Sequence, residues 1–176
     1  VPRLKPTLLL SDEMTFAANG SVTGGGITSR TVIPSQPLNA GPLSFSAWVK
    51  CSNPDTNYLR IFDIGTGQSD DNVLFAFSDQ NSQKMYYQVF HGSADQSHIK
   101  TTESFPKDTW VLVQLIHRAD TTVSIYWNGV EKETEGASSL PLPLVTERAW
   151  YLGKSHWSGE DVFQGSMKEV AFFNGE

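Results

Sequence analysis

In Trp110-Val111-Leu112-Val113-Gln114-Leu115-Ile116-His117, an extended chain turns Val111, Val113, Leu115 and His117 to one side. Trp110, Leu112, Gln114 and Ile116 turn to the other, because successive side chains of a strand alternate. Both sides are nearly apolar, which predicts a strand inside a sheet and between two packed layers. Arg118-Ala119-Asp120-Thr121 reads as the turn that follows. Val123, Ile125 and Trp127 then alternate with Ser124, Tyr126 and Asn128, the pattern of a half-buried strand. Asn128-Gly129 supplies the next tight turn, since both residues tolerate positive φ.

The rest of the chain repeats this grammar, and no helical period of useful length appears. Short alternating runs are separated by clusters of Gly, Pro, Asn, Asp and Ser. They predict strands at residues 7–10, 13–16, 27–33, 44–51, 59–64, 72–78, 84–90 and 98–101. After the hairpin come 130–133, 149–153 and 165–173. So many strands exceed one flat sheet, and two stacked antiparallel sheets are the expected solution: an all-β sandwich. Trp48 and Trp127 lie on alternating strands and are expected in the core. Gly24-Gly25-Gly26 reads as a surface turn, because no helix or Lys-Ser/Thr follows to make a phosphate cradle. Pro141-Leu142-Pro143 reads as an extended connector.

Residues 1–176 are expected to form a single domain, long enough to bury a real core. The net charge of -6 comes with no basic cluster, so nucleic acid is not an expected partner. No run of 18 apolar residues predicts membrane insertion. Val1 to Pro6 lacks the apolar segment of a signal peptide and reads as a mature end or a cut-out domain. The single cysteine, Cys51, cannot form an internal disulfide. It reads either as a buried core thiol or as a bridge to another domain. Asn19-Gly20-Ser21 is a glycosylation sequon, and the low share of charged residues, 18%, also suits a secreted chain.

Two clusters could carry a function. The first is Trp150, Tyr151, His156, Trp157 and Phe163, interleaved with Lys154, Ser155, Glu160 and Asp161. Gly153 ends a strand, and 154–159 reads as a loop. A Trp on a loop exposes apolar area unless it packs or binds something. Two readings stand: Trp157 caps the sandwich edge, or Tyr151, His156 and Trp157 form a platform that stacks on a sugar and binds its hydroxyls. The second cluster is Asp70, Asp71 and Asn72, oxygen donors of the kind Ca²⁺ prefers, although the spacing is not that of an EF-hand. A solvated turn is the other reading. Asp63, set among Ile61, Phe62 and Ile64, is expected to be partly buried and bonded to backbone N–H groups of the Gly-rich loop after it.

Signs of an enzyme are lacking. His91, His98, His117 and His156 show no metal-binding spacing, and no nucleophile elbow is present. Glu131, Glu133 and Glu135 alternate on one strand, but Lys132 lies between them, as on a solvated rim.

Leu43-Ser44-Phe45-Ser46-Ala47-Trp48-Val49-Lys50 resembles the early strand of laminin-G-like, or concanavalin A-like lectin/glucanase, domains. Arg60-Ile61-Phe62-Asp63-Ile64-Gly65 and Asp70-Asp71-Asn72-Val73 are similar to the segments that follow in that family. Trp110 with Val123 to Gly129 resembles its hairpin, and 150–157 with 163–170 its closing strands. The resemblance implies a jelly-roll β-sandwich and a mostly extracellular or cell-surface module that binds glycans or proteins, often beside a Ca²⁺. The acid motif of sandwich-fold glucanases, Glu-x-Asp-x-Glu or Glu-x-Asp-x-x-Glu, is missing, so it implies binding rather than catalysis. The expected function is a non-catalytic carbohydrate-binding module, with calcium assistance from Asp70, Asp71 and Asn72. The alternative is a structural or adhesion module binding an extracellular protein. Either would suit one domain of a larger multidomain chain.

Overall fold

The computed structural model describes residues 5–34, 41–77, 82–93, 95–135, 141–143 and 148–175, and all that follows concerns these. The remaining residues, including the first four of the expected N-terminal stretch, lie outside them. Fourteen strands are present: β1 (Leu8–Leu10), β2 (Met14–Phe16), β3 (Val22–Gly24), β4 (Thr31–Val32) and β5 (Leu43–Cys51). Then come β6 (Arg60–Gly65), β7 (Val73–Phe77), β8 (Met85–His91), β9 (Asp95–Lys100) and β10 (Val111–His117). The chain ends with β11 (Val123–Trp127), β12 (Val130–Glu135), β13 (Ala149–Leu152) and β14 (Gly165–Asn174). They form two antiparallel sheets of a jelly-roll sandwich. The eight-stranded sheet runs β12-β11-β10-β5-β14-β2-β3, with β1 also on β14, and the six-stranded sheet runs β4-β13-β6-β7-β8-β9.

The core lies between the sheets and is built by alternation. On β5, Leu43, Phe45, Ala47, Val49 and Cys51 are buried while Ser44, Ser46, Trp48 and Lys50 are half-exposed. Phe45 and Phe172 of the larger sheet meet Phe62, Phe75 and Trp150 of the smaller one. The Phe45, Phe62 and Phe172 ring centroids are 4.9 to 5.0 Å apart, and Trp150 sits 5.2 Å from Phe172. Aromatic groups bury the most area per side chain, so this cluster is the main joint between layers. Cys51 belongs to the core, and burial pushes its thiol up to about 12.

The hairpin has the expected register. Val113 pairs with Trp127 and His117 with Val123, and Asn128 and Gly129 both take positive φ. Two expectations need correction. β10 lies inside its sheet, between β5 and β11, but only its Val111-Val113-Leu115-His117 side is covered. Leu112, Gln114 and Ile116 are half-exposed, because no second layer packs on that face. Trp48 is likewise on the outer face rather than in the core. Its neighbours Ala47 and Val49 point inward, and one residue of shift exchanges faces. Trp127, by contrast, is buried, donating its indole N–H toward Met85 Sδ at 3.2 Å.

The expected strand at 27–33 shrinks to Thr31–Val32, and Val22–Gly24 pairs instead with β2. Gly24 is thus a strand end and not simply part of a surface turn. Arg30 accounts for the change. Its buried guanidinium donates to the carbonyls of Gly20 and Ala17 at 2.9 Å, of Phe163 at 3.1 Å, and of Gly153. It also lies 5.0 Å from the centre of the Phe16 ring. Burial without a carboxylate lowers its pKa to about 10. A planar fork of donors suits several carbonyls at once. Here it ties the 17–20 turn to the loop described next.

Candidate functional site

On β13, Trp150 faces the core and Tyr151 the outside. The strand stops at Gly153, which has φ of 64°. A Cβ there would lie 2.5 Å from Arg30 Nη1 and 3.0 Å from Phe16, so both backbone and space require glycine. Phe163 then re-enters the core and donates its N–H to the Gly153 carbonyl at 3.1 Å. Residues 154–162 are therefore a compact loop closed at its base. It folds over the outer face of the six-stranded sheet. Trp157 packs there against Leu74, Ala76, Tyr86 and Phe90, with its ring 5.6 Å from that of Phe90.

A buried carboxylate holds the loop down. Asp63, on the outer side of β6, is fully buried. Its Oδ1 accepts from Asn72 Nδ2 at 2.8 Å; its Oδ2 accepts from the His156 backbone N–H at 3.1 Å and from Arg60 Nε at 3.4 Å. An isolated ionised carboxylate is expensive away from water, and this set of donors offsets the cost. Arg60 also donates to the Tyr58 carbonyl at 2.7 Å and pairs with Glu160 at 3.0 Å. Its guanidinium lies 5.1 Å from the Trp157 ring centre. Tyr86, whose phenol burial pushes up to about 12, stays neutral beside it.

The sequence expectation for Asp63 was therefore right about burial and wrong about partners. The backbone N–H groups of the Gly-rich loop do not donate to it; the side chain of Asn72 at the loop's end, the His156 backbone and Arg60 do. Arg60 and Glu160 were missed as members of this cluster. The available signal was a pair of charges, Arg60 and Asp63, inside an otherwise apolar strand.

Tyr151, His156 and Trp157 are brought together, but not as three displayed groups. The Tyr151 and His156 rings stack with centroids 4.3 Å apart, and Lys154 Nζ sits 4.5 Å from the Tyr151 centroid. The His156 side chain is 6% exposed. Its Nδ1 lies 3.0 Å from Asp63 Oδ1, an ion-pair distance without hydrogen-bond alignment, and its Nε2 is buried with no partner among the described residues. Trp157 is half-buried, so its role as a cap on the sheet is real. Around them is an open depression of about 360 Å³ lined by Tyr151, Lys154, Trp157 and Glu160, with His156 at its wall.

Asp70, Asp71 and Asn72, the residues expected to offer oxygen to Ca²⁺, each have different surroundings here. Asn72 is buried; its Oδ1 accepts the Asp70 N–H at 2.7 Å while its Nδ2 serves Asp63. Asp71 Oδ1 accepts the Gly92 N–H at 2.7 Å, and Asp70 is exposed. Gly65 shows how tightly Asn72 is fitted, since a Cβ there would lie 2.3 Å from its Nδ2. Among the described residues no group of three or more His, Cys, Asp or Glu is placed to hold a metal ion.

The family model of the concanavalin A-like lectin/glucanases superfamily matches residues 23–176. No curated protein matches the chain. Similar solved structures include the binding domain of botulinum neurotoxin DC in complex with rat synaptotagmin II, with a TM-score of 0.67 and 13% identity over 99% of this chain and 42% of that one. Another is the native heptameric SAP-like pentraxin from Limulus polyphemus, with a TM-score of 0.63 and 12% identity over 94% of this chain and 77% of that one. A third is botulinum neurotoxin type C, which enters cells dependent upon interaction with two ganglioside molecules. It has a TM-score of 0.57 and 15% identity over 77% of this chain and 33% of that one. The chain spans less than half the length of these neurotoxin structures. Identities this low carry the fold and nothing finer.

Proposed function

Since the chain belongs to the concanavalin A-like lectin/glucanases superfamily, we propose that it is a non-catalytic, extracellular carbohydrate-binding module. Its site is the depression over the six-stranded sheet. One observation carries the reading: the 154–162 loop is pinned so that Tyr151, Lys154, Trp157 and Glu160 surround one open hollow. A pyranose would lay its C–H face on the exposed parts of Tyr151 and Trp157, while Lys154 donates to hydroxyl groups and Glu160 accepts from them. Burial of Asp63 and its bonds to the loop pre-organise these groups, which lowers the ordering cost of binding.

The chemistry of the hollow suits binding better than hydrolysis. Glycosidases hold two carboxylates across the scissile bond. Among the described residues lining the hollow Glu160 is the one carboxylate, and it is paired with Arg60. The proposal includes no calcium step, because Asn72 is committed to Asp63 and to the Asp70 backbone. Each sugar hydroxyl bond replaces one to water, so stacking area supplies much of the affinity, which is expected on the order of micromolar to millimolar.

A glycan array of the chain, followed by calorimetry with the strongest hit, tests this. Tyr151→Ala is expected to abolish binding, and Lys154→Gln, at an exposed side chain, to weaken it while leaving the melt nearly unchanged. Failure to bind any glycan, with and without Ca²⁺, would move the reading to a structural or adhesion module for protein partners. The structural relative solved with synaptotagmin II supports that second reading.

A further inference from the structure

The outer face of the eight-stranded sheet carries a feature independent of the hollow. Trp48 stands in register between Leu112 on β10 and Lys168 on β14. Trp110 precedes β10 by one residue, and Val111 pairs with Val49, so Trp110 lies beside Lys50. The Lys50 ammonium is 5.2 Å and the Lys168 ammonium 4.8 Å from the centre of the same Trp110 ring. Neither is ion-paired among the described residues, whereas Lys132 pairs with Glu103 at 2.9 Å and Arg60 with Asp63 and Glu160. In a chain of net charge -6, two ammonium groups thus share one aromatic ring with no carboxylate of the described residues paired to them. Their mutual repulsion is only partly offset by the ring, and an external anion would relieve it.

The surroundings narrow the anion. One step along the same face, Ser46 and Gln114 are paired and half-exposed. Neither side chain is bonded to another described residue. Indole rings, a hydroxyl and an amide for hydroxyl groups, and two cations lie together on one face of the sheet. A simple carboxylate would satisfy only the cations. We propose that this face is a second site, taking an anionic oligosaccharide: its acidic group meets the Lys50 and Lys168 ammonium groups over the Trp110 ring while a pyranose stacks on the neighbouring Trp48. The Trp110 ring holds both ammonium groups in place before binding.

Calorimetry with a sulfated dextran oligosaccharide, unsulfated dextran of equal length and polyglutamate of equal charge tests this. Sulfated dextran is expected to bind and to weaken as salt rises through the screening range. The double variant Lys50→Gln/Lys168→Gln should weaken it about tenfold or more, as expected for loss of charge-assisted contacts. Lys50→Arg/Lys168→Arg should retain it, which separates charge from a folding defect. The glycan found for the hollow should bind the Lys50→Gln/Lys168→Gln variant as it binds the wild type, so this site and the hollow fail separately. No binding of sulfated dextran, equal binding by the Gln variant, or equal binding of polyglutamate would each overturn the proposal.

Discussion

Lowering the pH from roughly 7.5 to roughly 5 should destabilise the protein by about 2 kcal/mol through His117 alone. His117 faces the core from β10 and is 1% exposed. Its Nδ1 lies 2.9 Å from the Tyr87 hydroxyl, and the two rings meet edge to face at 5.7 Å. Burial drives the Tyr87 pKa well up, so the phenol keeps its proton and forms a neutral hydrogen bond with the imidazole. Burial also lowers the His117 pKa from 6.5 to about 4, against a smaller upward pull from Asp120. Between these two values the unfolded chain binds a proton that the folded chain refuses. Stability is unaffected by this group above pH 6.5, falls as the pH drops below it, and reaches its full loss below about 4. The whole effect is about 3 kcal/mol, a large share of the 5–15 kcal/mol that holds a typical domain. Urea melts of the wild type and His117→Gln at both pH values isolate the term. The Gln carbonyl can still accept from Tyr87 but does not titrate. The wild type should lose about 2 kcal/mol more than the variant. Equal losses in the two proteins would refute the reasoning, as would a folded-state His117 that titrates near 6.5 by NMR.

Other expectations follow from the same packing. Trp127→Ala should cost about 3–5 kcal/mol and Trp48→Ala about 1 kcal/mol, since only the first empties a filled core; thermal melts of the two variants would show similar losses if the assignment of faces were wrong. Asp63→Asn should cost about 3 kcal/mol, because it removes the buried charge that Arg60, Asn72 and the His156 N–H share and so releases the loop. Trp157 fluorescence should shift to the red in that variant, and an unshifted spectrum would mean the loop is held by Trp157 packing alone. Melting curves in EDTA and in millimolar Ca²⁺ should coincide, whereas a higher midpoint in Ca²⁺ would show that Asp70 and Asp71 recruit further donors on binding.

Alternation is a local property, and it made most strands readable from residue types alone. β5, β10, β11 and β14 were found with their bounds nearly right because each offers its own period-2 pattern. The inward set Val123, Ile125 and Trp127 needed no neighbour to be recognised. Asn128-Gly129 likewise declares its turn, since φ preference belongs to the residue. Tertiary structure decided what covers each sheet's second face. Leu112 and Trp48 look as apolar as any core residue, yet among the described residues no second layer covers them and both are half-exposed. Leu74, Ala76, Tyr86 and Phe90 are sealed by a loop that starts some sixty or more residues later in the chain. Arg30 overrode the strand expected around it by finding four carbonyls on distant turns. The bond from His156 to Asp63 spans 93 residues, and no spacing rule reaches across such a gap. A side chain's alternation is set by its own backbone, whereas its partner is set by whichever segment the completed fold brings alongside.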